Sequence, residues 1–354
     1  MTQRSAPVRL EWPGKTVPKA AVGAVLEHHR HGHPSQMLIA GDNLRAMHAL
    51  ARRGMQSVML AYMDPPFFTG RSHEHVKRSR DPKTGEMMRT LKPAFDDRWD
   101  GLGTYLSELR DRIAIARELL APEGCLIVHV DPKTSHYIKV ICDEVFGPRC
   151  FASEIVWRYR RWPAKTSNFQ RVHDVLLRYV KDPDAKPRFR QLYEPLAPST
   201  LATWGTKKQR AVVGKSGRRV RSSTTEESTP GAPMGDVWEI GIVAPVSKER
   251  TGYPTQKPEA LLERLIQACT DEGDWVLDPY GGSGTTLAVS ARLSRCAIGI
   301  DAGSEALRVA RKRLKALGIR PLEERVADAK QPKKTRPLPP AAVPTVDDDE
   351  RLAG

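Results

Sequence analysis

Short apolar runs that end in an acid recur along the chain. Met37-Leu38-Ile39-Ala40 leads through Gly41 to Asp42. Val58–Met63 leads to Asp64, and Cys125–Val130 to Asp131. Trp275–Leu277 ends at Asp278, and Ala297–Ile300 at Asp301. Runs this short, bounded by turn residues, predict buried strands. Two further runs, Glu154–Tyr159 and Val175–Val180, are rich in Val, Leu, Ile and Tyr and complete a set of about seven. Between them, apolar residues fall at helical spacing over Asn43–Leu50, Tyr105–Leu120, Ser135–Phe146, Glu259–Thr270, Thr285–Leu293 and Glu305–Leu317. Asp42 or Asn43 is placed to cap the first helix, and Pro258 falls at the first turn of the fourth. Strands alternating with helices over short links predict an α/β fold: a doubly wound, mostly parallel sheet with helices on both faces.

The rhythm fails in four places, and these set the expected domain limits. Residues 1–34 carry Pro, Gly and the histidines His28, His29, His31 and His33, and read as a flexible arm. No acid or cysteine there completes a metal site. Residues 68–101 read as a long lid loop with Arg71, His73, His75, Lys77, Arg78, Arg80, Lys83 and Arg89. Residues 182–250 lose periodicity and read as an inserted module. Residues 321–354 read as a disordered tail, Pro- and Lys-rich before Asp347-Asp348-Asp349-Glu350. The α/β domain is therefore written in two halves, 35–181 and 251–320.

Charge changes this picture more than composition does. The net charge is +15, and residues 155–225 hold 17 Lys or Arg against four Asp or Glu, a net of +13. An excess concentrated in one segment points to a polyanion, most often nucleic acid. No apolar run nears the roughly 18 residues needed to span a bilayer, and no signal-peptide core follows Met1. The expected location is cytoplasmic, with no membrane contact. The five cysteines are scattered, without zinc spacing, and read as small buried apolar residues. No metal is expected.

The stretch Asp278-Pro279-Tyr280-Gly281-Gly282-Ser283-Gly284-Thr285-Thr286 joins a strand to a helix, where open α/β sheets bind ligands. No Lys follows Gly284, so a triphosphate would find no neutralising charge. The third glycine of a nicotinamide site is replaced by Leu287. S-adenosylmethionine fits better. It carries an ammonium and a sulfonium, so Asp278 attracts where it would repel a pyrophosphate. Asp301 ends the next strand, 17 residues after Gly284, and is placed to accept from ribose hydroxyls.

Asp64-Pro65-Pro66-Phe67 has its own chemistry. An exocyclic amine on a base is a poor nucleophile because its lone pair is delocalised into the ring. A carboxylate and a backbone carbonyl that accept its two N–H bonds make the nitrogen more tetrahedral. Prolines fix such a turn, and an aromatic neighbour can stack on the base. The base must leave the duplex to reach such a site.

Taken together, these stretches resemble the amino-group DNA methyltransferases, in the permuted subgroup (beta class) whose catalytic motif precedes the cofactor motif. Gly41-Asp42-Asn43-Leu44, Asp64-Pro65-Pro66-Phe67, His173–Leu177, Gly252–Glu259 and Asp278–Thr286 each match a family motif. Tyr280 stands where Phe is more usual. The resemblance spans about residues 36–317 and leaves 182–250 in the place of a target-recognition domain. It implies that Asp64 and the Pro65 carbonyl, with Pro66, hold the target amine and that Phe67 stacks on the base. It implies a cofactor lining of Asp42, Asp64, Thr255, Lys257, Asp278, Tyr280, Gly281, Gly282, Ser283, Gly284, Thr285 and Asp301. Trp162 or Phe169 is the candidate for the opposite face of the base. Arg160, Arg161, Lys207, Lys208, Arg210, Arg218, Arg219 and Arg221 are candidate contacts to double-stranded DNA.

Asp rather than Ser at the first motif position favours adenine N6 over cytosine N4. Methylation at cytosine C5 needs a cysteine nucleophile, commonly after proline, and no Pro-Cys dipeptide occurs. An RNA or small-molecule methyltransferase would not need the basic module. A catalytically silent DNA-binding protein would have no use for Asp64 or Gly284. A homodimer and a companion restriction endonuclease are both compatible with the sequence. The expectation that decides function is spatial: Asp64 and Asp278 should end adjacent strands.

Overall fold

The computed structural model describes residues 8–18, 23–80, 86–163, 165–208, 211–221 and 227–328. The doubly wound α/β sheet is present. Its strands run in the order Ala24–Arg30, Pro321–Asp328, His33–Ala40, Cys296–Asp301, Trp275–Asp278, Val58–Met63, Leu120–Val130, His173–Val180, Phe151–Arg158 and Val237–Glu239. Ten strands stand where about seven were expected. The central ones are apolar on both faces; all six residues of Val58–Met63 are buried. That is the pattern of a parallel sheet covered on both sides.

Crossover handedness explains why a crevice opens in the middle. From Trp275–Asp278 the chain moves through helix Thr285–Arg292 to Cys296–Asp301, toward one edge. From Val58–Met63 it moves through helix Leu102–Leu119 to Leu120–Val130, toward the other edge. Right-handed crossovers in opposite directions put their helices on opposite faces. Helices Asn43–Arg52, Leu102–Leu119 and Ser135–Phe146 accordingly form one layer, and Glu259–Cys269, Thr285–Arg292 and Ser304–Ala316 the other. Trp275–Asp278 pairs in parallel with Val58–Met63, Leu277 opposite Ala61. Asp64 and Asp278 thus end adjacent strands, at the switch point where the chain direction reverses.

Several expectations need correction. The arm assigned to residues 1–34 contains the edge strand Ala24–Arg30 and the start of His33–Ala40. The segment read as the start of a disordered tail contains Pro321–Asp328, antiparallel to Ala24–Arg30 and parallel to His33–Ala40. Both strands are rich in charge, and pairing with each other rather than apolar periodicity makes them strands. Residues 329–354 lie outside the described residues. In the lid segment, Arg71–Arg80 and Met87–Asp97 pair as an antiparallel hairpin. Asp81-Pro82-Lys83-Thr84-Gly85 is outside the described residues, but its sequence carries turn chemistry that the loop reading passed over. Asp97, buried, staples the hairpin base: its carboxylate accepts from the Phe68 and Thr69 backbone N–H (2.9 and 2.8 Å) and from Trp99 Nε1 (3.1 Å). Among the described residues of 182–250 the elements are small, including helix Pro198–Trp204 and the hairpin Ala211–Val213 with Arg219–Arg221. Val237–Glu239 leaves that module and joins the main sheet beside Phe151–Arg158. Pro258 is the cap of helix Glu259–Cys269 rather than its first residue.

Candidate active site

The acids that end the apolar runs share one sheet edge, because their strands are parallel. Asp42, Asp301, Asp278 and Asp64 line a cavity of about 400 Å³ there. Pro65, Pro66, Phe67, Thr255, Lys257, Tyr280, Gly282, Ser283 and Thr285 line it as well. Gly281 and Gly284 lie behind the lining and shape the turn. The Gly281 N–H donates to the Ile300 carbonyl (2.9 Å) and the Gly284 N–H to the Gly281 carbonyl (2.8 Å). The catalytic and cofactor motifs therefore meet as expected.

The cofactor side is built on backbone donors. Asp301 accepts from the Gly282 N–H (2.8 Å) and the Gly303 N–H (2.7 Å). Asp278 accepts from Thr286 Oγ1 (2.6 Å) and the Tyr280 N–H (2.9 Å). Arg313 donates to the Thr285 hydroxyl (2.9 Å) and pairs with Glu259, fixing the loop against helix Glu259–Cys269. Asp42 caps its helix by accepting from the Arg45 N–H (2.9 Å) and pairs with Arg112 (3.1 Å). Arg112 also donates to Asn43 Oδ1 (2.6 Å), whose Nδ2 donates to the Pro279 carbonyl (2.9 Å). Arg112 was not a sequence candidate, and nothing but its helical position could have suggested it.

Among the described residues, Asp278 and Asp301 have no basic partner. Burial raises the Asp278 carboxyl to about 7; Thr286 and the Tyr280 N–H oppose this, while the charges of Asp64 and Asp301 add to it. Burial also raises Asp301, against the two glycine N–H donors. Two buried carboxylates short of positive charge suit a cationic ligand, and the donor set fits S-adenosylmethionine. A pH dependence follows. Below about pH 7, Asp278 is mostly protonated in the free protein, and a cation must displace that proton. Cofactor affinity should fall as pH drops from about 8 to 6, by up to about tenfold per unit, with protons released on binding. Calorimetry in buffers of different ionisation enthalpy checks this. A pH-independent affinity would exclude Asp278 as the counter-charge. The stability of the free protein carries the opposite sign. This carboxyl is protonated in the folded chain but not in the unfolded chain between about pH 4 and 7, so its contribution is lost as pH rises through that window.

On the catalytic side, Lys257 Nζ contacts both Asp64 oxygens (2.7 and 2.6 Å) and lies 4.9 Å from the Phe67 ring centroid. Lys257 lines the cavity together with the expected cofactor residues and also pairs with the Asp64 carboxylate. Tyr105 Oη donates to the Pro66 carbonyl (2.9 Å), which fixes the turn. The Asp97-stapled hairpin brings His73, Phe95 and Trp99 to the cavity rim. His73 stacks on Phe95 (4.5 Å), and His75 Nδ1 lies 2.7 Å from Glu305 Oε1, docking the hairpin on helix Ser304–Ala316.

The DNA candidates are not brought to the cavity. Trp162 and Phe169 are 91% and 100% exposed on the loop between Phe151–Arg158 and His173–Val180, and neither lines the cavity. Arg160 and Arg161 share that loop and are exposed. Lys207 and Arg218 are exposed, and Lys208 pairs with Glu227 (3.1 Å). Arg219 and Arg221 lie in the small hairpin. Arg210 lies outside the described residues. No helix among the described residues is long and apolar enough to cross a membrane, and no cluster of His, Cys, Asp and Glu there could hold a metal.

Known proteins resemble this chain in sequence and in fold. A family model described as DNA methylase, of the N6/N4 class, matches residues 58–312. A type II methyltransferase of Haemophilus parainfluenzae, M.HpaI, is 30% identical over 279 residues, 79% of this chain and 74% of that one. The DNA adenine methyltransferase YhdJ of Escherichia coli is 27% identical over 80% of this chain and 84% of its own. The structure of the cytosine-N4-specific PvuII DNA methyltransferase superposes with a TM-score of 0.52 at 15% identity, covering 81% of this chain and 90% of that one, and shares the fold. With its two motifs joined at one switch point, the chain belongs to the N6/N4 DNA methylase family and is an S-adenosylmethionine-dependent DNA methyltransferase.

Proposed function

We propose that this protein methylates the N6 amine of adenine within a short DNA recognition sequence, acting on a base turned out of the duplex. The observation that carries the reading is Asp64 beside Asp278 in one cavity that Phe67 and the proline turn also line. Bound S-adenosylmethionine supplies an electrophilic methyl group on a positively charged sulfur. The protein's part is to hold and to orient. Asp301, Asp278, Asp42 and the Gly282 backbone hold the cofactor. Asp64 accepts one N–H of the target amine and the Pro65 carbonyl the other. Lys257 fixes both Asp64 oxygens in place, and each oxygen keeps lone-pair capacity for the amine. Phe67 stacks on the base, with Trp162 or Phe169 closing over its far side.

Adenine is favoured by Asp at the head of the motif and by YhdJ, a relative over four-fifths of the chain that is named for adenine. The basic loop and module, with Arg160, Arg161, Lys207, Lys208, Arg218, Arg219 and Arg221, supply phosphate and base-edge contacts. A cytoplasmic location and a companion endonuclease reading the same sequence belong to the same proposal.

The test is expression in a host without DNA methylation, followed by sequencing that detects modified bases. N6-methyladenine at one short motif is the expected result. Modification on cytosine N4 would overturn the base assignment, and an unmodified genome would overturn the function.

A further inference from the structure

Behind Asp64 lies a buried polar array of which only Tyr62 lines the cavity. His129 is fully buried in the otherwise apolar run Cys125–Val130, between Val128 and Val130. Its Nε2 lies 3.2 Å from Asp174 Oδ2, and its Nδ1 lies 2.8 Å from Tyr62 Oη and 3.9 Å from Asp64 Oδ1. Asp174 Oδ1 accepts from Tyr159 Oη (2.9 Å). The ring is walled by Phe67 at 5.6 Å and Trp157 at 5.5 Å between centroids.

The hydrogen bonds fix the tautomer. An ionised Asp174 only accepts, so Nε2 carries the proton and donates. Burial alone would raise the Asp174 carboxyl, but its hydrogen bond from His129, with further help from Lys257 and Tyr159, leaves it below the usual value. Nδ1 is then a lone pair, occupied by the Tyr62 O–H. A buried imidazole backed by a carboxylate, with its free nitrogen toward the site, is the arrangement of a base and its orienting group. Packing alone would have been served by an apolar residue, since burying His and Asp costs more than burying Leu.

We infer that His129 takes up the proton that methyl transfer releases, acting through Asp64. This rests on the methyltransferase reading above. The amine lone pair forms the N–C bond as the S–C bond breaks toward sulfur, and the nitrogen is left cationic. One of its protons passes to Asp64. Asp64 hands a proton to Nδ1, and the Tyr62 hydroxyl turns from donor to acceptor of the new Nδ1–H. The imidazolium is then paired with Asp174, and Asp64 is again a carboxylate. Once the product has left the cavity, Nδ1 returns the proton to solvent through the Tyr62 hydroxyl, which lines it, and the array is reset for the next base. The charged and titratable groups facing His129 are Tyr62 and Asp64 from the catalytic strand and its turn, and Asp174 and Tyr159 from the antiparallel strand and its loop. Lys257 faces it across Asp64. His129 is a positioning and proton-accepting residue and touches no substrate.

The test is single-turnover methyl transfer by the full-length enzyme against pH, with S-adenosylmethionine and target DNA saturating so that Asp278 drops out of the profile. The wild type should slow toward acid, as the proton acceptor behind Asp64 becomes occupied. His129→Gln, which can still accept from Tyr62 and donate to Asp174, should lose that acid limb and run at least about tenfold slower on the plateau. Asp174→Asn keeps the packing and removes the charge that stabilises the imidazolium. Its acid limb should move to lower pH, and it serves if His129→Gln fails to fold. A His129→Gln limb like that of the wild type would overturn the inference, as would an unmoved limb in Asp174→Asn. Failure of the wild type itself to methylate DNA would instead overturn the reading on which the inference rests.

Discussion

Asp64→Asn should slow methyl transfer by about 100- to 1,000-fold, the range seen when one preorganised group is removed from a developing charge. The side chain keeps its shape, so the cavity persists. What is lost is the charged acceptor for the amine and the partner that anchors Lys257 through both oxygens. Hydrogen bonds to charged groups contribute about 1.5–3 kcal/mol each, and two are affected at once. Asp64→Ala should be worse, because it also removes the acceptor oxygen that Asn would still offer to the amine and to Lys257, whose side chain is only 11% exposed. Rapid-quench transfer of labelled methyl to a target duplex measures the step, with cofactor affinity read separately by calorimetry. A variant within tenfold of wild type would remove Asp64 from the mechanism.

Gly284→Val should destabilise the protein by about 3 kcal/mol and abolish cofactor binding. Gly284 sits at φ +72°, where a side chain costs roughly 1–2 kcal/mol. A Cβ there would lie 2.7 Å from the Ala310 Cβ and 2.9 Å from its Cα, backbone that cannot swing away. Overpacking of that kind adds about 1–3 kcal/mol. The loop can relieve the clash only by moving away from helix Ser304–Ala316, and Ser283 and Thr285 of the cavity lining move with it. Gly273→Ala is the control. It has the same backbone sign, φ +83°, and open space around the added carbon, so strain alone applies. Urea unfolding should separate the two by about 1–2 kcal/mol. Equal losses would mean that the close approach to Ala310 plays no part.

The hairpin shows how a long polar segment can mislead. Arg71–Arg80 and Met87–Asp97 have no apolar alternation, so periodicity leaves them a loop. Their order comes from the Asp97 staple, the His73–Phe95 stack and the His75–Glu305 pair, each made between residues far apart in sequence. Local sequence offered only the turn-type residues Asp81-Pro82-Lys83-Thr84-Gly85. His129 is a different case. A lone histidine in an apolar strand was visible, and Asp174 sits in a segment that already resembled the family. Their meeting depends on antiparallel pairing of Leu120–Val130 with His173–Val180, which sets His129 opposite Leu176.

The sequence by itself determined the chemistry and the fold class. Apolar runs ending in acids can only be buried strands of a covered parallel sheet, and an acid before a glycine turn without lysine selects a cationic ligand over a phosphate. It also determined which two motifs had to meet. The tertiary structure decided how they meet. Parallel pairing of Trp275–Asp278 with Val58–Met63 joins residues separated by the whole basic module. Opposite crossover directions from those two strands open the crevice between them. The tertiary structure also paired Lys257 with Asp64, and it brought Arg112, Tyr105 and His129 to the site from elements with no motif. The reason is physical. Strand-forming tendency and charge are local properties of the chain, whereas the neighbour of a buried carboxylate is set by which strands share hydrogen bonds, and that is fixed only when the whole sheet closes.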